Sequence, residues 1–264
     1  MMLKKFGQIT TFVLALLAFN IPAADADQLS DILEAGKIKI GVPENFPPFG
    51  SVGKDLNHEG YDVDVGMLIA KDLGVKAEII PLTSKQRIPF LTSGKVDLVI
   101  SSMGANPTRA KSIWFSSAYA PFFSGAFAAK GMQISSPADL AGKKVGLTGG
   151  TLEDLELSKV APKSATITRF GDNAATISAF VAGQVDVLVT GNTVAAKVSA
   201  DNPKLNIETK FIIKESPCFI GVKSGEMNML QWVNVFILHK KLGGKLNAMS
   251  KKWFGQKLPP LPSL

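Results

Sequence analysis

Two stretches of this chain echo each other: IPFLTSGKVDLVIS at residues 88–101 and ISAFVAGQVDVLVT at residues 177–190. Ile88 aligns with Ile177, Gly94 with Gly183, Val96 with Val185 and Asp97 with Asp186. Each copy reads as a helix end, a glycine stop and an apolar strand. Each strand closes on a hydroxyl, Ser101 in the first copy and Thr190 in the second. A helix that feeds a buried strand is the repeating unit of an α/β fold. Its recurrence implies two α/β units of like design. A glycine followed by an apolar strand is common in such folds, so the echo speaks to architecture before function.

The remaining pattern agrees. Ile38, Ile40 and Val42 alternate with Lys39 and Gly41, as in a strand. Val65, Leu68, Ile69 and Leu73 follow helical spacing, with Asp62 placed to cap the start and Gly74 to end it. Further strands are predicted at 77–80, 97–100, 144–148, 166–170 and 186–189. The alternation indicates mainly parallel sheets. Ligands of open α/β sheets bind outside the carboxyl ends of the strands. Two such sheets facing each other would line one cleft with residues 42–49, 101–106, 148–151 and 190–192. Those segments carry hydroxyls, glycines and the aromatics Phe46 and Phe49.

Composition narrows the function classes. The 264 residues suffice for one large or two modest domains, and 46% are hydrophobic. The formal net charge of +7 is dispersed, with no nucleic-acid module. Cys218 is the single cysteine, so no intrachain disulfide forms, and its apolar neighbours suggest a buried, inert thiol. The two histidines, His58 and His239, sit at no predicted strand end, and no metal-ligand spacing appears. At the N-terminus, Lys4 and Lys5 precede an apolar run at 12–19, and Ala24-Asp25-Ala26 follows. This is a signal peptide at 1–26, cleaved near Ala26, which directs the chain to the periplasm. The run is far shorter than the ~20 apolar residues of a spanning helix.

Three co-linear segments carry a resemblance: GYDVDVGMLIAKDL at 60–73, SSMGANPTRAKSIWFSSAY at 101–119 and KKWFG at 251–255. Together they resemble the bacterial extracellular solute-binding proteins for polar amino acids, family 3. The resemblance implies the periplasmic-binding-protein type II fold, two α/β lobes joined by two hinge strands. Lobe 1 would take residues 27–121 and 219–264, and lobe 2 residues 122–218. The helices carrying Trp232, Leu246, Met249 and Trp253 would pack back on lobe 1. It further implies a monomer without cofactor that closes on an amino acid or similar small carboxylate and delivers it to the membrane permease subunits of an ABC transporter.

The resemblance also assigns residues. Arg109 matches the arginine that grips the ligand carboxylate, for which a planar guanidinium fork is suited. Asn106 and Pro107 read as the start of a short helix that holds it. Phe46 and Tyr61 match aromatic walls; both could equally be core aromatics. Ser101, Ser102 and Gly104 match groups offered by the first lobe, and Thr148, Gly150, Thr151 and Thr190 by the second. Thr151 with Asp154 also reads as a capping box, a complete structural reason for its presence. One departure stands out. The aspartate that usually holds the ligand ammonium is replaced by Gly191. Glu153 and Glu44 are the nearest substitutes by sequence, unless the ligand lacks an ammonium there. Two other readings remain: a periplasmic enzyme of the cyclohexadienyl or prephenate dehydratase type on the same scaffold, with Glu44, Glu153 or Asp154 as acid, and a sensor domain.

Overall fold

A computed structural model describes residues 27–262; the predicted signal peptide lies outside the described residues. Helix α1 (Gln28–Ala35) leads into β1 (Lys37–Pro43), and a small hairpin, β2 (Ser51–Val52) with β3 (His58–Glu59), precedes α2 (Tyr61–Leu73). Then come β4 (Lys76–Leu82), α3 (Arg87–Thr92), β5 (Leu98–Gly104), a 3-10 turn at Arg109–Lys111, and β6 (Ile113–Ala120). The chain crosses over into β7 (Phe123–Ala129), β8 (Lys144–Thr148), α4 (Leu152–Val160), β9 (Thr166–Phe170) and α5 (Asn173–Val181). After β10 (Val187–Gly191), α6 (Asn192–Asp201) and β11 (Ile207–Glu215), it crosses back into β12 (Cys218–Lys223), α7 (Met227–Leu242) and α8 (Lys245–Phe254).

Two five-stranded sheets result, β4-β1-β5-β12-β6 and β9-β8-β10-β7-β11. Their orders correspond strand for strand. In each, three parallel strands are followed by a strand that runs the other way, β12 in the first and β7 in the second. The parallel expectation therefore holds for three strands of each sheet. Antiparallel ladders attach the strands next to the crossings.

The sequence echo is one structural device built twice. Lys39 N–H donates to Asp97 Oδ2 (2.7 Å), and Lys144 N–H donates to Asp186 Oδ2 (2.8 Å). Asp97 N–H returns a bond to the Lys39 carbonyl (2.8 Å) and Asp186 N–H to that of Lys144 (2.7 Å). Each aspartate thus clamps the first turn of its own strand onto the neighbouring parallel strand, fixing register where the ladder begins. Gly94 and Gly183, at φ +72° and +71°, close the preceding helices in the left-handed conformation.

Helix α2 buries Tyr61, Val65 and Ile69 at i, i+4 and i+8 against the first sheet. It starts earlier than the apolar spacing suggests. Gly60 is its N-cap, and Asp62, expected there, lies inside the first turn and is wholly buried. The Asp62 carboxylate accepts from Ser102 N–H (2.7 Å) and from the Tyr119 hydroxyl (2.6 Å), tying α2 to β5 and β6. Gly74 ends the helix as expected. The C-terminal helices return to the first sheet. Leu246 is buried in its core, Trp232, Met249 and Trp253 pack against it, and Trp253 Nε1–H donates to Asp64 (2.8 Å).

Candidate functional site

The chain passes between the sheets twice, at Ala120-Pro121-Phe122 and at Glu215-Ser216-Pro217. Ser216 N–H donates to the Phe122 carbonyl (3.0 Å), so the two crossings lie side by side. Beside them the carboxyl ends of β1 and β5 meet α4 and α5 of the other sheet around one cavity.

Arg109 is part of its lining. Asn106 Oδ1 accepts the Arg109 N–H (2.8 Å) and starts the 3-10 turn, a single turn rather than a full helix. Its guanidinium is buried. Nη1 donates to the Gly104 carbonyl (2.8 Å) on its own sheet, and Nη2 donates to the Gly150 carbonyl (3.1 Å) on the other. One side chain thus spans the gap between the sheets.

Six of the expected residues line this cavity together: Phe46, Ser101, Ser102, Gly104, Arg109 and Thr151. Gly104 is required by close approach, since a Cβ there would lie 2.1 Å from Ser216 Oγ and 2.8 Å from Leu152 Cδ2 of the facing sheet. Ser102 sits at φ +41°, a left-handed conformation that costs a non-glycine residue roughly 1–3 kcal/mol. Asp62 holds it there through the Ser102 N–H. The Ser101 carbonyl, one residue earlier, accepts from Arg87 Nη1 (2.8 Å).

Four expected residues stand apart. Tyr61 is fully buried behind Phe49, and its hydroxyl donates to the Tyr119 carbonyl (2.8 Å). Thr148 spends its hydroxyl on Asn173 Oδ1 (2.8 Å) and Thr176 Oγ1 (2.7 Å). Thr190 is buried in β10 opposite Gly125. Gly150 contributes its carbonyl to Arg109 but does not line the cavity. The capping box at Thr151 is half formed. Its Oγ1 accepts Asp154 N–H (3.2 Å), but Asp154 Oδ2 accepts from Gly150 N–H (3.1 Å), one residue before the position a box requires.

Sequence reasoning missed three groups. Arg87, the first residue of α3, is buried in the lining; Nε donates to the Ser84 carbonyl (3.2 Å) and Nη1 to that of Ser101 (2.8 Å). It shares a helix face with buried Leu91 at i+4, which was the available signal. Phe122, in the first crossing, packs against Phe46 and Phe49 (ring centroids 6.4 and 5.8 Å) and lines the cavity. Ser216 completes the hinge side.

Gly191 is explained by Phe122: a Cβ at that position would lie 2.1 Å from two ring carbons. The aromatic ring fills the space an aspartate would need. Of the two substitute acids, Glu44 is exposed, whereas Glu153 is buried in the lining.

Burial sets the electrostatics. It lowers the Arg87 pKa to about 10, with the like charge of Arg109 adding to the effect, so Arg87 stays protonated at neutral pH. Arg109 is lowered by burial. Burial raises Glu153, against the pull of both guanidiniums. Asp62 is pushed well above the usual carboxylate range by burial.

Two facing α/β sheets, two adjoining crossings and a buried guanidinium reaching from one sheet to the other define a two-lobed solute-binding protein of the periplasmic type II fold. Residues 38–256 match the bacterial extracellular solute-binding proteins, family 3. The chain belongs to that family. The ABC transporter glutamine-binding protein of Bacillus subtilis is 30% identical over 232 residues, covering 86% of this chain and 84% of the relative. The cysteine-binding protein from Campylobacter jejuni superposes with a TM-score of 0.81 at 25% identity, covering 86% and 92% of the two chains. An ancestral amino-acid-binding protein, a precursor of cyclohexadienyl dehydratase, superposes at 0.79 with 31% identity, covering 86% and 99%.

Proposed function

We propose that this chain is the periplasmic substrate-binding component of an ABC importer and holds an amino acid between its lobes by hinge closure. The observation that carries this reading is Arg109, whose buried guanidinium bridges both sheets through Gly104 and Gly150. Carbonyl oxygens are weaker partners for a guanidinium than a carboxylate, which pairs bidentately with it. The α-carboxylate of a ligand displaces these bonds and gives both lobes a common partner. Glu153, at the start of α4, takes the ammonium in place of the absent aspartate at position 191. Ser101, Ser102, Gly104 and Thr151 supply backbone and hydroxyl groups, and Phe46 is an apolar wall. Tyr61, Thr148, Gly150 and Thr190 support the site from behind.

Lobe 1 comprises residues 27–121 and 219–264, lobe 2 residues 122–218, and a leader at 1–26 directs export. The partners are the permease subunits of the transporter; the binding protein itself acts as a monomer, without cofactor or nucleic acid. The cavity volume is about 20 Å³, room for one water at ~10–15 Å³ each. An amino acid therefore enters only when the lobes part at the crossings. Binding contacts from both lobes exist together only when they meet again, so ligand shifts the population toward the closed form.

The test joins calorimetry with small-angle scattering. Arg109→Ala should keep the fold and lose roughly 2–5 kcal/mol of binding, about 30- to 4000-fold in Kd. Saturating amino acid should lower the radius of gyration of the native protein, and an unchanged radius would rule out closure. Native-like affinity in the variant would move the carboxylate site elsewhere. A buried, raised carboxyl at Glu153 is also the feature a dehydratase needs as general acid. Incubation with a prephenate-type substrate should give no turnover.

A further inference from the structure

We propose that the cleft selects a ligand with two anionic groups and one ammonium, an acidic amino acid, and that Arg87 takes the second anionic group. This rests on the amino-acid reading above and goes further by naming the class.

The buried charges that line the cavity do not balance. Arg87 and Arg109 both line the cavity, and Glu153 is the one acid in its lining. All three are buried. Among the described residues, neither guanidinium has a carboxylate within 4.0 Å: the ion pairs there involve other residues. Two further buried acids lie nearby and neither lines the cavity: Asp154, which pairs with Arg169 (2.8 Å) and accepts from Gly150 N–H, and Asp62. The two oxygens of Asp62 already accept from Ser102 N–H and the Tyr119 hydroxyl, and burial favours its protonated form. The lining therefore carries two cations against one anion. An uncompensated buried charge is strongly unfavourable unless a partner arrives.

Arg87 also has donors to spare. A guanidinium carries five N–H groups. The bonds to the Ser84 and Ser101 carbonyls engage Nε and Nη1. Those two bonds fix the orientation of the fork at the joint of β4, α3 and β5, as a preorganised anion site requires. The other polar side chains of the lining, Ser84, Ser101, Ser102, Thr151, Asn173 and Ser216, are neutral.

The complement of two guanidiniums and one carboxylate is an α-carboxylate, a side-chain anion and an α-ammonium. Both cations belong to the first lobe and Glu153 to the second. The ligand's two acids would face one lobe and its ammonium the other. A neutral amino acid leaves Arg87 unpaired. A cationic one adds a third positive charge to the cavity.

The experiment is isothermal titration of the protein with L-glutamate, L-aspartate, their amides L-glutamine and L-asparagine, and glutarate. At least one acid should bind about 30-fold or more tightly than its own amide. Arg87→Gln should abolish that preference while the amide still binds, and Arg87→Lys, which keeps the charge, should retain it in part. Thermal melts of both variants establish that they fold. An amide that binds as tightly as its acid, or an acid preference that survives Arg87→Gln, overturns the inference and leaves the amino-acid reading standing. Glutarate binding as tightly as glutamate would instead overturn the ammonium assignment while supporting the second anion site. Failure of every probe to bind overturns the acidic assignment alone, and a titration with the remaining amino acids then tests the amino-acid reading.

Discussion

Gly191 offers a quantitative test of how the crossing strand shapes the site. Alanine there is the smallest possible perturbation, one methyl group with no charge. The structure puts that methyl 2.1 Å from both Cε2 and Cζ of Phe122, where ordinary contact begins at 3.4 Å. The ring must retreat by about 1.3 Å (3.4 − 2.1). It has little freedom to do so. Phe122 is 7% exposed and wedged against Phe46 and Phe49, which belong to the core of the first sheet. Overpacking of this kind costs about 1–3 kcal/mol. For a chain of this size that corresponds to a fall in Tm of roughly 2–12 °C. Urea unfolding of the native protein, Gly191→Ala, Phe122→Leu and the double variant gives the coupling. Leucine lacks the two atoms that clash, so Gly191→Ala should be nearly neutral in its presence. The coupling energy should then match most of the single-variant loss. By the same geometry, Gly191→Asp should fail to rescue ligand binding in a Glu153→Gln background unless Phe122 is also shortened. A Gly191→Ala variant as stable as the native protein would refute the claim that Phe122 excludes a side chain at 191.

Two further outcomes follow from buried titratable groups. Asp62 has a folded-state pKa raised by burial, so the native state holds its proton more tightly than the unfolded chain. The contribution of Asp62 to stability is then fully present below the ordinary carboxylate pKa of ~4 and is lost as pH rises through the folded value. Asp62→Asn should flatten that decline in urea titrations across the range, and an unchanged slope would assign the ionised form to Asp62. Cys218 is fully buried in β12 and its thiol is pushed up by burial, with Asp62 adding to the shift. A thiol reagent at neutral pH should leave the folded protein unlabelled and react once per chain in denaturant; prompt labelling of the folded protein would contradict that burial.

What the sequence disclosed and what it hid divide along a physical line. The Val-Asp echo was legible because Asp97 and Asp186 act through backbone groups of the neighbouring strand, a local demand each α/β unit makes of its own residues. Arg109 was singled out by the resemblance, since a short turn opened by Asn106 does not by itself distinguish a site arginine from a surface one. Tyr61 was the reverse case. Its spacing to Val65 and Ile69 put it on the core face of α2, and the resemblance drew it toward the ligand. Arg87 carried a weaker signal, a charge on the same helix face as Leu91, which marks burial but not a partner. The Phe122–Gly191 pair had no local signal at all. It exists because a crossing strand brings an aromatic ring from one end of the second lobe's sequence onto the end of β10. That contact joins the hinge to the site. The residue that fills the place of the missing aspartate sits in a segment that must bend when the lobes part, so movement of the hinge and the shape of the ligand cavity are set by the same ring.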